Sequence, residues 1–376
     1  MLFPVHIVIS PDKFKGSLSA REAAEAIHRG FSSIFPTATY DLLPMADGGE
    51  GILDAFLSSV ENSPSPIETT VLDALGRPVS AKWLMLTDGT AIIESSQANG
   101  LWRIAEDERD LLRASTFGVG QLIHEAVEAK AKQIIIGLGG SATNDAGLGM
   151  AAALGCRFLD ENGDVVDPIP ENIPAIHRID FSEIPSLPPI TAACDVANPL
   201  LGARGATRVY AQQKGLRPAD AGFFENAHSH LVKLTKEVSG KDFSEVPGAG
   251  AAGGLGFGLM AFCGATLESG FSCIAGLLGA EARLSQADLI ITGEGSLDSQ
   301  TLEGKTPFGV SQLARKHSIP VYALAGCVAD EEILLPYFDG ITAITNENIS
   351  VQQAMANAQS LLEQAARSLA ESLRKA

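Results

Sequence analysis

Five short segments hold most of the reactive residue types in this chain. They are PDKFKGSLSA (Pro11–Ala20), PMADGGEG (Pro44–Gly51), GLGGSATND (Gly137–Asp145), CDVANPLLG (Cys194–Gly202) and TGEGSLDSQTLEGK (Thr292–Lys305). Each mixes glycines with carboxylates or lysines, the composition of a loop that brings backbone N–H groups close to an anion. Gly139-Gly140-Ser141, ahead of a helix start capped by Thr143 or Asn144, would offer free N–H groups to a phosphate. Lys13 and Lys15 can offset phosphate charge. Asp47 and Glu50 flank Gly48-Gly49, and hard carboxylates beside phosphates suit Mg²⁺. Asp195 ends an apolar run, Ile190–Ala193, where a rigidly held carboxylate would serve as a base. Asn198 follows in the same loop, and Glu294 and Asp298 flank Gly295 and Ser296 with Lys305 beyond them. The set reads as a polar site for phosphate chemistry. Each member also has a structural alternative: Asp47 and Asp145 as caps, Asp195 in an Asx-turn, Ser141 as a helix cap, the two lysines as solvated surface.

The elements that must position these loops follow an α/β rhythm. Val5–Ile9 and Ile190–Ala193 are apolar runs of strand length, Thr39–Leu43, Ile134–Leu138 and Leu289–Thr292 read as further strands, and each leads directly into one of the five loops. In open α/β sheets ligands bind beyond the carboxyl ends of the strands. Ser19 and Glu22 form a capping box that opens a helix with Ala23, Ala26, Ile27, Gly30, Phe31 and Ile34 on one face, ended by Pro36. Residues 67–96 alternate apolar and polar with turns at Gly76-Arg77-Pro78 and Asp88-Gly89, predicting antiparallel hairpins. The stretch 157–189, with Asn162-Gly163 and six prolines, reads as a hairpin and then irregular chain. After Asp288 the rhythm returns, with strands at Val321–Ala325 and Ile341–Thr345 and helices at Phe308–His317, from Asp330 and at Ser350–Arg374. The two ends together supply five parallel-type strands, enough for one doubly wound sheet. This predicts an α/β protein with a discontinuous domain, residues 1–65 and 285–376, and an inserted mixed α/β domain, 66–284.

Composition excludes several classes. With 27 Lys plus Arg against 45 Asp plus Glu, the net charge of −18 repels phosphate backbones and anionic lipid, so neither nucleic acid nor a membrane surface is an expected partner. Five scattered cysteines without a C-x-x-C pair argue against a disulfide framework or zinc site and for a reducing, cytoplasmic setting. The N-terminal MLFPVHIVIS lacks a basic leader region and reads as a first strand. Val246–Leu267 is uncharged over 22 residues, but its seven glycines predict a tightly packed buried helix rather than a membrane span. Gly248–Gly253 matches G-x-G-x-x-G without the strand that motif needs, and Ser299 breaks the Walker A pattern ahead of Gly304-Lys305-Thr306. His228-Ser229-His230 reads as an exposed pair on a polar helix.

Taken together, PDKFKGSLSA, PMADGGEG, IIIGLGGSATNDAGLGM, ACDVANPLLG, PGAGAAGGLGFGL and TGEGSLDSQTLEGKTPFGV closely resemble the bacterial glycerate kinase family, type 1, in order from Val5 to about Val310. The resemblance implies ATP- and Mg²⁺-dependent phosphorylation of D-glycerate to 2-phosphoglycerate, or to 3-phosphoglycerate. It also implies a flavodoxin-like domain interrupted by a second α/β domain, with the active site in the cleft between them. Three positions depart from the pattern: Lys13 for the usual Ser, Ala146 for Gly, and Ser296 where Arg is common. On this reading Asp195, Lys15 and Asp47 are the catalytic candidates, and Asp47 and Glu50 the metal candidates. Lys13, Gly139, Gly140, Ser141, Asn144, Asn198, Glu294, Asp298 and Lys305 are the candidates for holding substrate or nucleotide. Which carboxylate is base and which binds metal stays open, as does assembly into a homo-oligomer. The competing readings are a non-catalytic binding or regulatory protein for a small phosphorylated acid and, on the strandless G-x-G-x-x-G alone, a nicotinamide enzyme.

Overall fold

The computed structural model describes residues 5–60, 63–345 and 349–375. Its strands are β1 (His6–Pro11), β2 (Thr39–Leu42), β3 (Ile67–Leu72), β4 (Pro78–Met85), β5 (Thr90–Glu94), β6 (Gln133–Gly137), β7 (Arg157–Leu159), β8 (Arg178–Asp180), β9 (Ile190–Ala193), β10 (Thr266–Glu268), β11 (Leu289–Leu297), β12 (Val321–Val328) and β13 (Gly340–Ala343). They fall into two compact units, one of residues up to Ser63 together with Ser269 onward, the other Pro64–Glu268.

The first unit is built on a five-stranded, all-parallel sheet in the order β13-β12-β11-β1-β2. Counted within the unit, that order is 2-1-3-4-5, the flavodoxin-like doubly wound arrangement, and its topological switch point lies between β1 and β11. Ile7, Val8 and Ile9 are buried on both faces, which is why β1 reads as an unbroken apolar run. The helix Ala20–Ser32 opens on the expected capping box, Ser19 Oγ accepting from the Glu22 amide and Glu22 accepting from the Ser19 amide. It packs against Ala358–Lys375, where Gly30 permits close approach: a Cβ there would stand 2.6 Å from the Ala366 Cβ.

Three local expectations need correction. The last helix is interrupted at Asn357, giving Val351–Ala356 and Ala358–Lys375, with the Asn357 side chain donating to the Gln353 carbonyl. The helix after Asp330 is a single turn, Glu331–Leu334, stopped by the Leu335–Tyr337 turn that contains Pro336. The second segment of this unit starts at Ser269 rather than 285, because Gly270–Leu277 and Ala280–Leu284 pack onto it. Phe271 covers Gly309, and the Arg283 guanidinium forks onto the Asp41 carboxylate.

The second unit carries a six-stranded sheet, β10-β9-β6-β5-β4-β3. β5, β6, β9 and β10 are parallel, while β3, β4 and β5 form the expected antiparallel hairpins. In the 157–189 stretch β7 pairs with β8, and the Asn162-Gly163 turn is a small excursion closed by the Asp160 carboxylate on the Asn162 and Asp164 amides. The uncharged run forms a buried helix, Ala251–Cys263, whose first turn is kinked by Ala252, Gly253 and Gly254 at φ 51, 71 and 83°. Among the described residues no helix is long and apolar enough to cross a membrane. The kink lets the helix press on the loop after β6, since a Cβ at Gly253 would stand 1.9 Å from the Thr143 carbonyl oxygen. Gly253→Ala therefore combines left-handed strain with a backbone clash and is expected to lose about 3 kcal/mol or more in urea denaturation. An unchanged midpoint would show that the close approach is not a constraint.

Candidate active site

In the first unit the expected residues gather where β1 and β11 diverge. Asp12, which the sequence reading did not single out, joins them: it follows β1, with its amide donating to the Gly293 carbonyl at 2.8 Å. Its carboxylate is 4 % exposed and accepts from the Lys13 amide and from Thr306 Oγ1, both at 2.6 Å. Burial first, and then the negative charge of Asp47, push the Asp12 carboxyl up to about 7. Lys13 Nζ donates to the Glu50 carbonyl oxygen at 2.6 Å and sits 3.7 Å from Asp47 Oδ1. Glu294, inside β11, is buried as well; Thr301 Oγ1 donates to it at 2.8 Å and Lys305 Nζ lies 3.9 Å away. Burial raises its carboxyl to about 7, with Asp47 and Asp298 adding to the rise and Lys305 opposing it. Asp298 caps the turn Ser299–Glu303, accepting from the Gln300 amide at 2.9 Å. Lys15 is exposed, with its backbone against Gly295. Asp12, Asp47 and Glu294 thus share one electrostatic field with Lys13 and Lys305. Among the described residues, however, no group of three His, Cys, Asp or Glu side chains converges as a ready-made metal cage.

In the second unit the expected residues lie at the ends of β6 and β9. Gly139 and Gly140 are accessible, Gly140 at φ 59°, and everything from Ser141 to Met150 is buried. The loop is pinned by the Leu101 amide on the Gly140 carbonyl and the Ala142 amide on the Asn99 carbonyl, both at 2.7 Å. The expected helix start at Thr143 or Asn144 is absent. Gly147, at φ 77°, redirects the chain, and helix begins only at Leu148, for six residues. Asp145 is the bracket that closes this turn: it accepts from the Thr116 amide (2.8 Å), Thr116 Oγ1 (2.7 Å), and the Gly147 (3.2 Å) and Gly149 (3.1 Å) amides. Asn144 Nδ2 donates to Thr207 Oγ1 at 3.0 Å, and its carbonyl meets His228 Nε2 at 2.9 Å.

His228 is the plain reversal here, since the helix Ala221–Ser239 turns it fully inward and burial pulls its pKa down to about 4. Asp195 directly follows β9 and is half-buried. Asn198 is engaged at both ends of its amide, donating to the Arg204 carbonyl and accepting from the Tyr210 hydroxyl, each at 2.7 Å. Sequence reasoning missed Lys214, 4 % exposed, whose Nζ donates to Ser141 Oγ and to the Thr143 carbonyl, both at 2.8 Å. Nothing in AQQKGLRPAD marks that lysine, which sits in a polar stretch between helices. It would have been found only by asking what sits beneath the glycine loop.

The folded-state value of Glu294 lies above its ordinary 4.5, so the fold retains a proton that the unfolded chain has already lost, and stability falls as pH rises from about 4.5 to 7. Glu294→Gln removes that dependence. In urea titrations the variant is expected to gain on the wild type between pH 5 and pH 8, and to hold a constant difference above pH 8. A difference that is flat with pH would mean Glu294 is already ionised in the fold at pH 5.

Comparison with known proteins agrees with this architecture. The model of the glycerate kinase family matches residues 7–374. A glycerate kinase of Bacillus subtilis is 41 % identical over 376 residues, covering 98 % of both chains, and one of Halalkalibacterium halodurans is 40 % identical over 370 residues, covering 97 % of both. A glycerate 2-kinase of Escherichia coli is 43 % identical over 86 % of both chains. A crystal structure from Salmonella typhimurium LT2, provisionally named glycerate kinase 2, superposes with a TM-score of 0.85 at 38 % identity over 99 % of both chains. A match of this length and identity, on a doubly wound sheet with a second α/β unit inserted, means that the chain is an enzyme of the phosphotransferase class and belongs to the glycerate kinase family.

Proposed function

We propose that the protein transfers the γ-phosphoryl group of ATP to D-glycerate, with Mg²⁺, and forms 2-phosphoglycerate. The observation that carries this reading is the cluster at the β1/β11 switch point, where the carboxylates of Asp12, Asp47 and Glu294 lie in one field with Lys13 and Lys305. A divalent cation would take the place of the protons that Asp12 and Glu294 hold near neutrality, so the donor set fits magnesium. Such an ion typically binds one or two carboxylates and completes its shell with water and phosphate oxygens, so no all-protein cage is needed. Asp47, with Asp12 and Glu294 beside it, would hold the ion, and Glu50, exposed after Gly48-Gly49, is the further candidate from the sequence; when bound, the ion would neutralise charge developing on the transferred group. The E. coli relative named glycerate 2-kinase supports phosphorylation at the 2-hydroxyl. The five cysteines are all free thiols, in keeping with a cytoplasmic enzyme.

Phosphoryl transfer needs little covalent work from a protein; it needs positioning, cations and a proton acceptor. Lys15 and the Gly139–Ser141 loop are assigned to phosphate oxygens, Lys15 by its exposed ammonium and the loop by its accessible glycine backbone. Glu294, Asp298 and Lys305 would order the nucleotide or acid on the first unit. Asp195 is assigned to accept the glycerate hydroxyl proton, since it is fixed at a strand end yet remains accessible.

ADP release is expected on adding D-glycerate, ATP and Mg²⁺ in a coupled assay. Absence of turnover above background across several divalent metals would place the protein among non-catalytic binders of a small phosphorylated acid instead. Asp195→Asn is expected to lower kcat by roughly 10²–10⁴-fold with nucleotide affinity little changed. Asp47→Asn should instead raise the Mg²⁺ concentration needed for half-maximal rate. If excess Mg²⁺ rescued Asp195→Asn, Asp195 would be the metal ligand and not the base.

A further inference from the structure

Lys214 has no part in the assignments above, yet it is the buried cation lying directly beneath the glycine loop. Its ammonium donates to Ser141 Oγ and to the Thr143 carbonyl, both at 2.8 Å. Taking an ammonium out of water is costly, and a fold retains one where its position serves a purpose. The consequence for Ser141 is directional. Its oxygen accepts from Lys214, and among the described residues its own O–H proton meets no acceptor, although the residue is only 4 % exposed. That leaves the Ser141 hydroxyl proton available to an acceptor that a ligand could supply.

We propose that Lys214 is a positioning residue for an oxyanion group of the substrates on the Gly139–Ser141 loop: it holds Ser141 and Thr143 from below, leaving the Ser141 O–H to donate to the anion. This deepens the assignment of that loop to anion binding and rests on it. The anionic oxygens are those of a nucleotide phosphate or of the acid's carboxylate, and the kinetic arms below separate the two. Burial lowers the Lys214 pKa to about 7, with the Asp145 carboxylate opposing that shift. The neighbouring ionisable groups are His228, which reaches the Asn144 carbonyl from the helix Ala221–Ser239, and Arg109, which lies against Gly215 and donates to the Gln213 carbonyl. Because the charged form holds the loop, kcat/KM for the affected substrate falls as pH rises through about 7. In the bound complex the anion favours the ammonium, so the same limb in kcat moves to higher pH.

Lys214→Met retains the length of the side chain and removes its charge. It is expected to raise KM for one substrate roughly 10–100-fold, the usual worth of a charge-assisted hydrogen bond. The KM of the other substrate should stay within about twofold and kcat within a few-fold, and the falling alkaline limb of kcat/KM should vanish. A rise confined to ATP identifies the phosphate, and a rise confined to D-glycerate identifies the carboxylate. Isothermal titration with each substrate should give the same ratios without turnover. Ser141→Ala leaves the buried ammonium in place and tests the same contact if Lys214→Met fails to fold; it should weaken the same substrate by about 10-fold. Wild-type affinity for both substrates in Ser141→Ala, or an alkaline limb retained in Lys214→Met, overturns the proposal. Either result in an enzyme whose wild type turns over D-glycerate leaves the glycerate kinase reading intact, whereas an inactive wild type defeats that reading itself.

Discussion

The Asp145 carboxylate takes four hydrogen bonds in a place sealed from solvent, two from Thr116 and one each from the Gly147 and Gly149 amides. Those donors come from two segments, the start of the helix Phe117–Glu128 and the turn that leads into Leu148–Ala153. One buried group therefore ties the connection after β6 to the body of its sheet. Upstream in the same loop, Lys214 performs the matching task with opposite charge. Between the two the backbone from Ser141 to Asp145 has little freedom, and Gly139 and Gly140 are presented to solvent as the accessible part. For the anion site proposed on this loop, being held this way would favour binding, since ordering the loop at the moment of binding would cost affinity.

The first unit handles buried charge differently. Asp12 and Glu294 are each partly satisfied by a hydroxyl, Thr306 and Thr301, and each is disturbed by the same neighbour, Asp47. Their protons are held loosely enough to titrate near neutrality. Burial raises the Asp145 carboxyl too, but there four hydrogen bonds oppose the rise, whereas Asp12 and Glu294 have fewer donors and a like charge, Asp47, beside them. The contrast is one of hydrogen-bond partners rather than of exposure, since all three are almost equally buried.

Close packing accounts for the uncharged glycine-rich run. A Cβ at Gly253 would meet the Thr143 carbonyl oxygen, one at Gly254 the Ala146 Cα, and one at Gly258 the Gly147 Cα. The helix Ala251–Cys263 thus lies backbone to backbone against the loop that Asp145 and Lys214 organise. Small residues there serve contact with a loop, which is why so uncharged a segment lies buried within its own unit.

Much of this protein was legible before any coordinates. Apolar runs such as Val5–Ile9 reported strands covered on both faces, Ser19 and Glu22 reported a helix start, and the loops after the strands carried the family resemblance, because period, capping and turn chemistry are local and are written in adjacent residues. What the tertiary structure alone decided was the fate of isolated polar residues. Lys214 became a buried prop because Ser141 and Thr143, some 70 residues earlier, came to rest above it. His228 was turned inward onto the Asn144 carbonyl, and Asn198 was taken up by Arg204 and Tyr210. The start of the helix at Leu148, and the allegiance of 269–284 to the first unit, were set by Asp145 and by the Phe271 and Arg283 contacts. Periodicity tells which face of an element is apolar, but the partner that rescues a buried charge is chosen by packing between distant segments, and no pattern of neighbours encodes it.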